Sequence, residues 1–202
     1  MRLAPAESVQ SLDASKYYIA PDENNFDYLL STEELSSFKG NKWRAKSNFV
    51  NRFKKMYRSK VIELDLGDPS TEKKIKGLFG LWAQKKAPNS KDTKNEGIAI
   101  SRLLQFSKHF KTESIGLEIE GELVGFSINE ITSPSSALLH FEKANLNFVG
   151  VYAYLMQQTA VHLRNKGCTI LNYEQDLGLQ GLKKAKASYF PVSFLKKYVV
   201  SK

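Results

Sequence analysis

The sequence has very little cysteine, since Cys168 is alone among 202 residues. A single cysteine excludes an intramolecular disulfide and any multi-cysteine metal site, and it suits a reducing compartment. No apolar run approaches the roughly 20 residues of a membrane-spanning helix, and the first residues lack the apolar core of a signal peptide. We therefore expect a cytoplasmic protein with no bound metal, and a peripheral position at the inner face of the membrane stays open.

Acidic residues are missing from one segment in particular. Lys39 to Lys60 holds nine Lys and Arg and no Asp or Glu, whereas the whole chain has 30 basic and 21 acidic residues and a net charge of +9. The remaining residues are therefore neutral in sum. Besides Lys60, the basic residues are Lys39, Lys42, Arg44, Lys46, Arg52, Lys54, Lys55 and Arg58. A second stretch, Leu177 to Lys202, has six Lys and no acid.

The basic segment has three interpretations. It could be a solvated helix face that needs no partner. It could bind the phosphates of a nucleic acid, with Trp43 or Tyr57 stacking on bases if they are exposed. It could instead contact anionic lipid headgroups, which attract Lys and Arg near a membrane surface.

The length supports one domain or one domain plus a fragment. Residues 1–25 are polar, contain Pro5 and Pro21, and are expected to be irregular. Residues 26–59 form a basic helical segment, in which Ser31 to Glu34 has the pattern of a capping box. A helix over about 42–57 should bury one apolar side. That side comprises Trp43, Phe49, Val50, Phe53, Met56 and Tyr57.

Residues 60–202 follow a regular order of elements. The pattern predicts strand, helix, helix, three strands, helix, strand, helix and strand. This is the order of the GNAT acyltransferase fold, an α/β (α+β) architecture whose mixed central sheet has helices on both faces. We expect one such domain over 60–202, preceded by the helical segment as the remnant of a first GNAT-like half.

The loop with which GNAT enzymes hold the pyrophosphate of acetyl-CoA is missing. That loop has the form Gln/Arg-x-x-Gly-x-Gly/Ala and presents backbone N–H groups at the start of a helix. The corresponding residues, 143–151, contain only Gly150. We therefore expect no CoA and no other cofactor.

Longer motifs point to a family. His140 to Ala144 and the stretch from Asn172 to Pro191 resemble the bacterial phosphatidylglycerol lysyltransferase C-terminal domain family, and so do residues 27–35 and 39–55. The resemblance implies transfer of an aminoacyl group from aminoacyl-tRNA to a hydroxyl or amine acceptor, with a phosphatidylglycerol-like lipid favoured. Members are usually tandems of two GNAT-like halves and commonly have Arg where this chain has Tyr173.

Strand alternation suggests how the motifs form a site. Residues two apart on a strand share a face, so we expect His140 with Glu142, and Asn172 with Glu174, in one cleft. Glu142 or His140 could be the general base, and Tyr189 a proton donor. Glu174 and Asp176 could bind the ammonium group of the donor, and Lys143 or Lys186 could stabilise the oxyanion. The predicted substrate-binding residues are Lys143, Asn172, Asp176, Lys183 and Lys186.

Two other functions remain open. A non-catalytic GNAT-like module could bind tRNA or anionic lipid through its basic helix. An ordinary CoA-dependent N-acyltransferase is disfavoured by the missing loop. The His140 to Lys143 strand could also be a solvated edge with no catalytic role.

Overall fold

The computed structural model describes residues 1–86 and 90–202. Over these residues the chain forms ten strands and seven helices. The strands are β1 (Ala4–Pro5), β2 (Tyr18–Pro21), β3 (Asp27–Ser31), β4 (Ser59–Glu63), β5 (Thr112–Ile119), β6 (Glu122–Ser133), β7 (Ser136–Ala144), β8 (Ile170–Asn172), β9 (Ser193–Leu195) and β10 (Lys197–Ser201). The helices are α1 (Ala6–Val9), α2 (Thr32–Ser37), α3 (Arg44–Met56), α4 (Pro69–Lys86), α5 (Lys91–Gln105), α6 (Val151–Asn165) and α7 (Gln180–Ala187).

The chain divides into two compact units. The terminal unit comprises residues 1–31 and 170–202, and the central unit comprises residues 32–169. This division differs from the expected boundaries at residues 25 and 59, because both ends of the chain pair with each other. Strand β3 pairs antiparallel with β8 and β9, and β10 pairs with β1 and β2. The expectation that residues 1–25 are irregular is therefore wrong.

The central unit is an antiparallel sheet in the order β4-β5-β6-β7 with helices on both faces. Helices α4 and α5 cover one face, where Phe126 and Ile128 join their apolar cluster. Helices α3 and α6 cover the other face, where Val124 and Ala144 join a second cluster. The adjacent β6 residues Leu123 and Val124 thus belong to opposite clusters, as a strand buried on both sides requires. The predicted mixed α/β class is confirmed.

Helix starts follow the expected chemistry. Asp68 accepts a hydrogen bond from the Thr71 N–H at 3.2 Å, directly before α4 begins at Pro69. An acidic cap followed by proline in the first turn satisfies the backbone donors that a helix leaves unpaired.

The basic helix is present as α3, but its buried side is narrower than expected. Val50 and Phe53 are buried, and so is Trp43 just before the helix, whereas Phe49 and Met56 are exposed. Buried positions recur at helical spacing, and Phe49 and Met56 lie at the margin of that stripe. The expectation that these two side chains pack inward is wrong.

Helix α3 lies against the N-terminal end of α6 at Gly150. Gly150 has φ +83°, and a Cβ added there would lie 2.2 Å from the carbonyl oxygen of Phe49. The close approach and the left-handed backbone both require glycine. Phe53 stacks on Tyr154 of α6 with ring centroids 4.9 Å apart, so this contact joins the basic helix to the core.

We predict that Gly150→Ala destabilises the protein by at least about 2 kcal/mol, because alanine is strained at this φ and overlaps Phe49. Gly77→Ala is the matched control, since Gly77 lies within α4 with open space around it. There alanine should stabilise by about 0.5–1 kcal/mol. Urea unfolding of both variants measures the two effects, and equal stability of the two would contradict the prediction.

Candidate active site

A β-bulge separates the two residues expected to share a face of β7. Ile128 of β6 pairs with Phe141, but the next residue, Asn129, pairs with Leu139, so His140 is the extra residue. Phe141 packs in the cluster beneath α4 and α5. Glu142 and Ala144 therefore face α3 and α6, since Ala144 belongs to that cluster.

His140 lies on the other face of the sheet. Its Nε2 is 2.8 Å from Glu130 Oε2, and Glu130 alternates with Ile128 toward α4 and α5. The pair lines a cavity of about 270 Å³ together with Arg102, Phe106 and Phe110. The expectation that His140 and Glu142 point into one cleft is wrong, because the bulge reverses the alternation between them.

Glu142 is the centre of a buried polar group on the α3 and α6 face. Its side chain is only 8% exposed and interacts electrostatically with Lys46 of α3 and Tyr152 of α6. Burial lowers the pKa of Lys46, while the charge of Glu142 acts in the opposite direction. Burial and the Glu142 charge both raise the pKa of Tyr152. A carboxylate, an ammonium group and a phenol thus interact electrostatically near the end of β7.

The expectation that Lys46 belongs to an exposed basic surface is wrong, because its side chain is partly buried. Lys46 is half-buried, whereas the other eight cations of the segment are exposed. The signal was present in the spacing, because Trp43, Lys46, Val50 and Phe53 lie three, four and three residues apart on one helix side. This spacing puts Lys46 on the buried side of α3, which the net charge of the segment does not indicate.

Lys143 is bound on the face opposite Glu142. Its Nζ lies 2.7 Å from Glu96 Oε1 of α5 and 4.5 Å from the centre of the Trp82 ring of α4. An ion pair and a cation–π contact together hold a nearly buried ammonium group. Of the lysines in the central unit, Lys46 is therefore a better candidate than Lys143 for a positive charge beside Glu142.

In the terminal unit, Asn172 and Glu174 do not share a strand face. Strand β8 ends at Asn172, and Glu174 has a left-handed backbone with φ +56°. The Asn172 side-chain oxygen accepts the Glu174 N–H at 2.8 Å, which turns the chain out of the strand. Asn172 also donates to Asp27 Oδ2 at 3.0 Å, and Lys197 binds the other oxygen of Asp27.

Asp176 stabilises a turn of the terminal unit. It is 3% exposed, and its two oxygens accept the Tyr28 hydroxyl and the Gly178 N–H. Burial and the Asp176 hydrogen bond raise the pKa of Tyr28 to about 12. These contacts give Asp176 a structural role in addition to the predicted binding role.

A cation lies beside Tyr173, the position at which the resemblance leads us to expect Arg. Lys186 Nζ is 4.4 Å from the centre of the Tyr173 ring and donates to the Tyr173 carbonyl. Tyr189 packs edge-on against the same ring, with centroids 5.8 Å apart. Lys186 and Tyr189 are both buried, whereas Lys183 is exposed. The terminal unit thus brings Tyr173, Lys186 and Tyr189 together.

The rest of the basic segment forms an exposed surface of the central unit. Lys39, Arg44, Arg52, Lys54, Lys55 and Arg58 are exposed. Lys42 is exposed as well and pairs with Glu34 at 2.7 Å. Trp43 is only 1% exposed, so the exposure that base stacking by Trp43 would require is not met. Tyr57 is half-buried, and its hydroxyl accepts a hydrogen bond from the Val149 N–H at 3.3 Å.

Two absences apply to residues 1–86 and 90–202. Within these ranges no group of three or more His, Cys, Asp or Glu side chains could hold a metal ion. Nor is any helix in them both long enough and apolar enough to cross a membrane.

Comparison with solved structures defines the class of fold. A conserved protein of unknown function from Bacteroides thetaiotaomicron is 26% identical to this chain, with a TM-score of 0.89. The match covers 99% of this chain and 68% of the Bacteroides protein. L-PGS from Bacillus licheniformis is 15% identical with a TM-score of 0.69, covering 98% and 65%. FemX is 8% identical with a TM-score of 0.66, covering 98% and 68%. The chain therefore has a GNAT-like fold and spans about two thirds of the length of these three proteins.

The sequence itself specifies the family. The phosphatidylglycerol lysyltransferase C-terminal family matches residues 4–201, so the chain belongs to that family. No curated protein matches the chain.

The environment of Lys46 yields a titration prediction. Glu142→Gln should lower the pKa of Lys46 further, because it removes the charge that favours the ammonium form while burial continues to disfavour it. NMR of the lysine side-chain signals, assigned with Lys46→Arg, measures this pKa. Glu130→Gln, on the other sheet face, is the control and should leave it unchanged. A higher or unchanged Lys46 pKa in the Glu142→Gln variant would refute the electrostatic interaction between Lys46 and Glu142.

Proposed function

We propose that this protein transfers an aminoacyl group from aminoacyl-tRNA to a hydroxyl or amine acceptor, with a phosphatidylglycerol-like lipid as the favoured acceptor. Membership of the family supports a transferase. The observation that carries the proposal is the buried Glu142 group at the end of β7, because it combines a general base with a positive charge.

In the proposed reaction, Glu142 takes the proton of the acceptor hydroxyl or amine as that atom attacks the carbonyl carbon of the aminoacyl ester. Lys46 stabilises the negative charge that develops on the carbonyl oxygen. The bond from the carbonyl carbon to the tRNA ribose oxygen then breaks, and Glu142 returns its proton to that oxygen. The products are aminoacylated acceptor and uncharged tRNA, so no co-reactant is required.

The location of Glu142 favours it over His140 as the base. His140 lies against Glu130 on the opposite face of the sheet, so the two residues cannot act on the same atom. Glu142 lies on the face covered by α3, which also presents the basic surface. We therefore retain Glu142 as the base and regard His140 as part of the separate cavity.

The turn before α6 argues against CoA as the donor. The Asn147 N–H bonds to Asn145 Oδ1 at 3.0 Å, and the Val149 N–H bonds to the Tyr57 hydroxyl at 3.3 Å. The Phe49 carbonyl of α3 lies directly against Gly150. Backbone donors that would have to bind a pyrophosphate are thus already satisfied by the chain itself.

We propose further roles for the predicted residues of the terminal unit. Glu174 would bind the donor ammonium group, and Lys186 would supply the positive charge that the family's usual Arg supplies. In a variant of the proposed reaction, Tyr189 would donate the proton to the ribose oxygen in place of Glu142 and regain it from water, while Glu142 would release its proton to water. Asn172 would orient Glu174 through its 2.8 Å bond to the Glu174 N–H. The exposed cations of the basic segment would bind tRNA phosphates, and the protein would visit the membrane peripherally.

The second candidate function is a non-catalytic module that binds tRNA or anionic lipid. The exposure of eight cations on the basic segment favours binding without requiring chemistry. A transfer assay separates the two functions, because a module would retain tRNA without releasing its amino acid.

We predict that Glu142→Gln lowers aminoacyl transfer by about 10²–10⁴-fold, as expected for loss of a general base. His140→Gln, on the opposite sheet face, should leave the rate near that of the unchanged protein. The assay follows labelled amino acid from aminoacyl-tRNA into a phosphatidylglycerol extract. Transfer that is insensitive to Glu142→Gln rules out this base, and bound label without turnover supports the module.

We also predict that tRNA affinity falls with rising salt. Replacing exposed Lys55 and Arg58 by Gln should reduce the slope of log affinity against log salt by about 1.5, because each phosphate contact contributes roughly 0.7–0.9. The control is the pair Lys73→Gln and Lys94→Gln, which removes the same charge from exposed positions of α4 and α5. Filter binding at several salt concentrations measures the slopes. Equal slopes for both pairs would contradict binding through the basic segment.

A further inference from the structure

The last part of the terminal unit exposes positive charge without any negative charge. Residues 177–202 contain six Lys and no Asp or Glu. Two of these lysines are bound internally, because Lys186 donates to the Tyr173 carbonyl and Lys197 pairs with Asp27. The exposed lysines are Lys183, Lys184, Lys196 and Lys202.

The same segment exposes an unusual number of large apolar side chains. Leu177 and Leu179 are 58% and 56% exposed, and four others are exposed by more than a third. These four are Leu182, Phe190, Val192 and Phe194. We call these six side chains and the four exposed lysines the C-terminal face. Large apolar side chains exposed in a group indicate an interaction surface.

Contacts within the terminal unit connect the two ends of this face. The Leu179 N–H bonds to the Asp176 carbonyl at 3.0 Å, which closes the turn that carries Leu177. The Asp176 carboxylate binds the Tyr28 hydroxyl. The Tyr28 ring in turn packs edge-on against Phe194, with centroids 5.0 Å apart. Leu177, Leu179 and Phe194 are thus linked through two side chains.

Folding alone does not account for leucine at two of these positions. Leu177 has φ +56°, a left-handed conformation that Gly or Asn adopts more easily. Leu179 is the N-cap of α7 and makes no side-chain cap hydrogen bond, where Ser or Asp would stabilise the helix. Exposed leucine at both positions costs stability, which suggests that the side chains are retained for contact with a partner.

We propose that the C-terminal face docks onto an anionic lipid bilayer. Leucine, phenylalanine and valine side chains would enter the interfacial region, and the lysines would bind acidic headgroups. A nucleic acid would satisfy the lysines but would leave the apolar side chains in water. This inference deepens the proposed function, since it rests on a membrane lipid as acceptor and assigns the contact to a surface other than the basic helix.

Co-sedimentation of the full chain with vesicles tests the docking. The unchanged protein should bind vesicles that contain phosphatidylglycerol and phosphatidylcholine, and should bind pure phosphatidylcholine at least about fivefold more weakly, since each lysine near an anionic surface is worth roughly 1 kcal/mol. The double variant Leu177→Asn, Leu179→Ser should lose most of this binding. Its thermal stability should equal or exceed that of the unchanged protein, because both substitutions suit the local backbone.

Matched controls assign the surface. Leu81→Ser and Ile98→Ser remove equally exposed apolar side chains from α4 and α5 and should leave vesicle binding unchanged. Lys54→Gln and Lys55→Gln should also leave it unchanged. Vesicle binding that survives in the Leu177 and Leu179 variant, or is lost only in the Lys54 and Lys55 variant, overturns the proposal. Absence of vesicle binding by the unchanged protein overturns it as well.

A second readout separates docking from catalysis. Transfer to a short-chain phosphatidylglycerol in solution should persist in the Leu177 and Leu179 variant, whereas transfer to vesicles should fall. If the unchanged protein transfers nothing to either acceptor yet binds vesicles, the proposed function fails and the docking surface stands. If the variant loses transfer to both acceptors equally, the docking proposal fails.

Discussion

The close contact between α3 and the N-terminal end of α6 is the constraint on which the candidate site depends. Gly150 admits the Phe49 carbonyl to a distance that no side chain would allow. That approach lays the buried side of α3 over the sheet, and the aromatic contact of Phe53 with Tyr154 holds it there. Lys46 lies on the same side of α3 and interacts electrostatically with Glu142. The contact between α3 and Gly150 therefore positions Lys46 relative to Glu142 and places α3 against the turn before α6.

This contact also connects the charge of the sequence to its chemistry. The basic segment is a surface on one side of α3 and part of the candidate site on the other. The exposed side carries solvated cations whose attraction to polyanions would be screened by salt. Lys46 on the inner side is partly removed from water, and its electrostatic interaction with Glu142 is stronger there for the same reason. A single helix can thus serve binding and catalysis through different faces.

Much of the fold could be predicted because its signals are local. The Asp68 and Pro69 start of α4 and the order of strands and helices over 60–202 depend on neighbouring residues. The irregular assignment of residues 1–25 failed because β2 depends on pairing with β10, about 180 residues away. The prediction that His140 and Glu142 share a strand face was wrong because a bulge depends on the register of two strands. Lys46 was misplaced because its burial depends on what α3 packs against.

The central claim is that the donor is aminoacyl-tRNA and not acetyl-CoA, and binding of the two donors tests it most directly. Titration calorimetry of the full chain with acetyl-CoA and with aminoacyl-tRNA compares them under one set of conditions. The account predicts saturable, salt-dependent binding of aminoacyl-tRNA and no binding of acetyl-CoA up to about 1 mM, the upper end of ordinary substrate affinities. Saturable binding of acetyl-CoA, with none of aminoacyl-tRNA, would contradict it.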